Sequence, residues 1–84
     1  GRFALVHRPD RLLEIMDLFR KYHIEPKRLR FCYPKLGSSC NHILIEGIKD
    51  GSIGGLVVLP PLIIYNENNQ WTKEVVRIYN YDKE

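Results

Sequence analysis

The sequence lacks the features that mark membrane, secreted and fibrous proteins. No apolar run approaches the ~18 to 20 residues needed to cross a bilayer as a helix. The basic start leads into no apolar signal region with a cleavage site. Cysteine is limited to Cys32 and Cys40, too few for a disulfide framework, so the pair reads as reduced packing thiols of a cytoplasmic protein with no membrane partner. There is no collagen-like glycine period, no internal repeat and no low-complexity tract.

What is present is an ordinary globular composition, 44% hydrophobic and 27% charged over 84 residues. That length holds one domain at most. A chain this short buries only roughly 60 to 65% of the surface exposed by its unfolded form, so its core is thin and self-association would help it. Residues 1–42 hold nine Lys or Arg against four Asp or Glu, whereas residues 43–84 hold four against six. The basic half suits a polyanionic partner, and equally a set of solvated faces.

The run Phe3 to Val6 reads as a strand over residues 1–7, buried on both faces as in a parallel sheet. The absence of a starting Met and of any lead-in is expected of a fragment. Pro9 suits the first position of a helix over 9–24, with Asp10 and Glu14 at the positive end of its dipole. Leu12, Ile15, Met16, Phe19 and Tyr22 draw one apolar stripe along it, and Glu25 before Pro26 ends it.

Alternation over 27–34 sets Leu29, Phe31 and Tyr33 against Arg28, Arg30 and Cys32, a half-buried strand with a basic outer face. Pro34 to Asn41 is loop chemistry, and 42–48 is a second strand completing a hairpin. Residues 56–84 form a tail. Pro60 and Pro61 bar its apolar part from a central strand and leave it lying along a surface, and Thr72 can cap a last short helix with Val75, Val76 and Tyr79 on one side. The fold class is α/β, with the order β-α-β-β plus tail.

No self-contained catalytic constellation emerges. Gly51 to Gly55 follows a strand but leads into an extended Leu-Val-Val-Leu run, so no helix N-terminus faces it, as a nucleotide-cradling loop requires. His23, Cys32, Cys40 and His42 include metal-ligand types, but Cys-x7-Cys-x-His lacks the close pairs of structural zinc sites. The polar groups best placed for function are His7 and Arg8, at the carboxyl end of the first strand, where ligand crevices of open α/β sheets lie. A plain helix-entry turn explains them as well. Arg28, Arg30 and Lys35, with Tyr33 among them, suit phosphates and a stacked base, the alternative being a solvated strand face.

Several blocks occur in a specific order: Gly-Arg-Phe-Ala-Leu-Val-His-Arg-Pro from Gly1, Glu-Pro-Lys-Arg-Leu-Arg-Phe from Glu25, Tyr-Pro-Lys from Tyr33, Ile-Leu-Ile-Glu-Gly-Ile-Lys from Ile43, and Leu-Pro-Pro-Leu-Ile-Ile-Tyr-Asn-Glu from Leu59. Together they resemble the C-terminal third of the bacterial S-adenosylmethionine-dependent methyltransferases that modify N6 of an adenine in the valine tRNA anticodon loop. The resemblance spans residues 1–79.

It implies a C-terminal fragment of a Rossmann-like, seven-stranded class I methyltransferase fold, with residues 1–84 supplying strand five, its helix and the hairpin of strands six and seven. Strand seven would insert antiparallel between five and six. The cofactor loop, the ribose-binding acid and the Asn-Pro-Pro-Tyr motif would lie upstream, and Leu59-Pro60-Pro61-Leu62 is not that motif. No catalytic, cofactor-binding or metal residue is therefore assigned in this chain, which is expected to be inactive alone.

In the full-length protein S-adenosylmethionine would be the cofactor and tRNA the partner, with His7 and Arg8 bordering the target pocket and Arg28, Arg30 and Lys35 holding tRNA phosphates. Loss of strand four would leave the first strand with an apolar edge through which the chain self-associates. The alternatives are a free-standing α/β module binding RNA or protein, and a methyltransferase of the same fold with a non-RNA substrate.

Overall fold

The computed structural model describes residues 1–83, with side chains placed up to Tyr79. The chain begins with β1 (Arg2–His7), a single 3-10 turn over Pro9–Arg11 and α1 (Leu12–Lys21), followed by the hairpin of β2 (Ile24–Tyr33) and β3 (His42–Lys49). Two short strands, β4 (Val57–Val58) and β5 (Leu62–Ile63), precede α2 (Lys73–Lys83). The strands form one mixed sheet in the order β1-β3-β2-β4, with β5 also on β2. β3 lies antiparallel to both neighbours, pairing Leu5 with Ile45 on one side and Leu29 with Ile45 on the other. That middle position for the second hairpin strand is the order the resemblance implied for residues 1–49.

The core is the interface between α1 and one face of this sheet. Ile15 and Phe19 of α1 are buried against Leu29, Ile43 and Ile45, with Leu12, Met16, Ile24 and Phe31 packed around them. Residues 43, 45 and 47 share that face because strand side chains alternate. Gly47 is where the helix comes closest: a Cβ there would lie 2.9 Å from Phe19 Cε2 and 2.7 Å from Ile24 Cγ2. The apolar stripe stops short of Tyr22, which is 54% exposed with the Lys21 ammonium 5.6 Å from its ring centroid.

The ends of α1 differ from expectation. Its first residues are taken up by the 3-10 turn, in which the Arg11 N–H donates to the Arg8 carbonyl at 3.1 Å. At the other end His23 takes a left-handed φ of 59°, and the Lys49 Nζ donates to the Tyr22 carbonyl. The helix therefore closes at Lys21, and β2 begins at Ile24 rather than 27. Pro26 is tolerated inside β2 because of the ladder's phase. The Asp50 N–H donates to the His23 carbonyl at 2.6 Å, which turns odd positions toward β3 and Pro26 away from it. A bulge at Lys27 follows, sending its Nζ to the carbonyls of Ser52 at 2.5 Å and Gly54 at 2.7 Å. β3 runs one residue beyond expectation, to Lys49, whose N–H donates to the Gly1 carbonyl at 2.8 Å.

β1 is the largest correction. Expected from its apolar run to be buried on both faces, it has all six residues exposed, although its antiparallel pairing with β3 is the one the resemblance implied. The apolar part of the tail also does more than lie along a surface, since β4 and β5 pair parallel with β2. Pro60 and Pro61 fall in the gap between them, where no ladder N–H is required. Cys32, expected on the outer face, is 4% exposed beside its register partner Leu62. Thr72 stands immediately before α2, but its hydroxyl donates to the Ile63 carbonyl at 2.6 Å. This ties the helix start to β5.

Candidate functional site

β1 and β2 are both antiparallel to β3, so they run the same way and their carboxyl ends meet at one end of the sheet. The register there aligns His7 with Ile43 and Ile43 with Phe31. The Arg8 N–H donates to His7 Nδ1 at 2.8 Å. That contact makes Nδ1 the acceptor and leaves Nε2 as the nitrogen that carries a proton in the neutral ring. The Arg8 guanidinium lies 3.5 Å from Asp10, with both side chains more than half exposed.

Lys35 belongs to the same end. Its carbonyl accepts from the Ser38 hydroxyl at 2.6 Å and from the Ser38 N–H at 3.1 Å, and Gly37 completes this tight turn with a φ of 85°. The turn sets Lys35 beside a cavity of about 570 Å³ shared with Ile63, Tyr65, Asn66 and Thr72. Asn66 Oδ1 accepts from the N–H groups of Asn68 and Gln70, fixing the bend that bridges Tyr65 to Trp71. Trp71 in turn meets Tyr79 edge-on with centroids 5.3 Å apart. Sequence reading passes over this aromatic cluster, although three exposed aromatics flanking an Asn-rich turn are its signal.

Arg28 and Arg30 stand elsewhere. They project from the middle of β2 on the face opposite α1, above a cavity of about 270 Å³ that Ala4, Val6, Leu44 and Leu59 also line. The structure thus brings His7, Arg8 and Lys35 to one end of the sheet and sets the two arginines apart from them. Both have internal partners. Arg28 lies 3.6 Å from Glu46, while Arg30 reaches Glu74 of α2 at 3.1 Å and donates from Nε to the Pro60 carbonyl at 3.0 Å. With a side chain only 17% exposed, Arg30 is a fastener of the tail.

The sulfur chemistry is structural. Burial pushes the Cys32 thiol up, with a smaller push from Cys40 and an opposing pull from Arg30, so its nucleophilic thiolate is disfavoured. The Cys40 thiol donates to the His42 carbonyl at 3.1 Å, and both cysteines are free. Among the described residues, no three of His, Cys, Asp and Glu come together as a metal site. The 51–55 loop is held by Lys27 and by Glu25, whose Oε2 accepts from the Gly54 N–H at 3.0 Å. It leads into β4 and not into a helix.

The fold so described is methyltransferase-like. A crystal structure of a predicted O-methyltransferase from Agrobacterium tumefaciens matches 95% of this chain with a TM-score of 0.82 and 25% sequence identity. The chain spans 38% of the length of that protein. No protein-family model and no curated protein sequence matches the chain. No helix among the described residues is long and apolar enough to cross a membrane.

Proposed function

We propose that this chain is the C-terminal portion of a class I, S-adenosylmethionine-dependent methyltransferase that modifies N6 of an adenine in tRNA. The observation that carries the reading is the antiparallel insertion of β3 between β1 and β2, the order implied by the resemblance in sequence. The fold likeness over 95% of the chain supports the methyltransferase part. The tRNA part rests on the motif blocks and on the basic half of the chain.

The described residues do not fit the cofactor. The glycine-rich loop 51–55 faces no helix N-terminus and is occupied by Lys27 and Glu25, so no step of methyl transfer is assigned to this chain. Its contribution is to shape the end of the sheet, where His7 and Arg8 border the target and Lys35 meets phosphate. In such an enzyme the rate comes mainly from holding the amine in line with the methyl group. A second reading, transfer to an oxygen on a non-RNA substrate, is favoured by the description of the Agrobacterium protein as a predicted O-methyltransferase.

The test is methyl transfer to bulk tRNA by a polypeptide that extends upstream of Gly1, with the product nucleoside identified by mass spectrometry. N6-methyladenosine formed by the longer form and not by the 84-residue chain is expected. A longer form that methylates only small hydroxylated acceptors would replace the tRNA reading by the second one. A native product confined to residues 1–84 would replace both by a binding module.

A further inference from the structure

Resting on the tRNA reading above, we infer that the cavity between the turn at Lys35 and the bend at Asn66 receives one unpaired nucleotide of that RNA, separate from the nucleotide that is methylated.

At about 570 Å³ the cavity has the size of a small-molecule site, which runs about 300–1,000 Å³. Its walls come from residues between Lys35 and Thr72, on the β2 side of the sheet, with β3 between them and β1. Backbone bonds hold the two walls together. The Ile64 N–H donates to the Tyr33 carbonyl at 2.9 Å, and the Tyr65 N–H to the Pro34 carbonyl at 2.8 Å. The Ser38 hydroxyl closes the turn, and Asn66 Oδ1 closes the bend. The shape is therefore set before anything binds, which lowers the cost of binding.

The groups on these walls are those that recognise a single base. Tyr65 on the bend, 39% exposed, offers an aromatic surface, and Leu36 on the turn, 87% exposed, an apolar one. An unstacked base is received between surfaces of this kind. With Oδ1 spent on the bend, Asn66 has its amide N–H groups left to donate. The Glu67 carboxylate has no cation partner among the described residues. It suits a base amino group or a ribose hydroxyl and opposes a ligand made of phosphate alone. The Lys35 ammonium is likewise unpaired among the described residues and is the wall's cation for a backbone phosphate.

The cavity is also set apart from the target. Phe31 is level with His7 through Ile43, and Lys35 lies four residues further along, on the second strand over. At about 3.3 Å per residue and 4.8 Å per strand, Lys35 stands on the order of 15 Å from His7. The nucleotide it takes is a neighbour of the methylated one.

The experiment uses a polypeptide extended upstream of Gly1, with bulk tRNA. Ultraviolet crosslinking and mass spectrometry should join Tyr65 to a nucleotide other than the methylated adenosine. Tyr65→Ala should weaken tRNA binding by about tenfold or more, and Tyr65→Phe, which keeps the ring, should restore it. The loss should appear in the KM for tRNA and not in kcat, which a merely structural role at the bend would lower as well. Lys35→Met, at an exposed turn, should make the fall of log affinity with log salt shallower by about 0.7, the share of one single-strand phosphate. A longer form that neither binds nor methylates tRNA removes the substrate reading and this site with it. Where tRNA is methylated, parent-like binding by Tyr65→Ala overturns the site alone, as does a Tyr65 crosslink confined to the methylated adenosine or the absence of any crosslink in residues 35–36 and 65–68. If Tyr65→Ala does not fold, an unchanged salt slope in Lys35→Met overturns it.

Discussion

The ring of Phe19 lies where a side chain on Gly47 would have to go. A Cβ at Gly47 would come within 2.9 Å of Phe19 Cε2, 2.7 Å of Ile24 Cγ2 and 3.0 Å of the Glu25 carbonyl. Even one methyl group must therefore displace the helix or the bulged start of β2. Gly47→Ala is expected to destabilise the chain by about 1–3 kcal/mol, the cost of overpacking a tight core. Urea denaturation monitored by circular dichroism measures it, and no loss of stability would show that α1 can lift without cost.

Ile45 is 1% exposed at the centre of the middle strand. Truncation to alanine should cost about 2–5 kcal/mol. A domain of this size has roughly 5 kcal/mol or a little more in total, so Ile45→Ala is expected to be largely unfolded at room temperature. A cooperative melt near that of the parent would contradict the placement of the core.

Arg30 joins parts of the chain that are distant in sequence. Arg30→Met keeps the stem but removes the bonds to Glu74 and the Pro60 carbonyl, and should cost about 1–2 kcal/mol. Because Glu74 stays solvated, the loss falls mainly on the attachment of α2. Limited proteolysis should cut within residues 73–83 faster, with the β1-β3-β2 sheet intact. Arg28→Met, whose ion pair is exposed, should leave that cleavage rate unchanged.

The two thiols should differ in reactivity and in their effect on alkaline stability. Cys40 is expected to react with a disulfide reagent well before Cys32, which is 4% exposed. Burial raises the Cys32 value in the folded chain above the ordinary 9.0, so the unfolded thiol ionises first as pH rises. Its contribution to stability is full below that ordinary value and is lost progressively above it. Melting curves between neutral pH and the alkaline range should fall more steeply for the parent than for Cys32→Ala.

Much of this architecture is legible in local pattern. The period of Ile15 and Phe19 and the alternation of Leu29, Phe31, Ile43 and Ile45 mark the helix, the hairpin and the buried face. The exposure of β1 is not legible, because an unbroken apolar run reports affinity for a partner and not whether one is present. The start of β2 is hidden by Pro26, since a proline reads as a breaker until the ladder's phase shows that it turns outward. Of the candidate site, the position of His7 and Arg8 at a strand end follows from order alone. The engagement of Arg30 by Glu74 depends on where the tail returns, and no local pattern encodes that.

The gap at Pro60 and Pro61 has a consequence for growth by addition. The far border of the sheet consists of two dipeptide strands separated by Leu59, whose N–H is taken by the Leu29 carbonyl, and by Pro60 and Pro61, which have none to offer. A newcomer could find no continuous ladder there. Strand addition therefore has no foothold on the β4 and β5 side of the sheet.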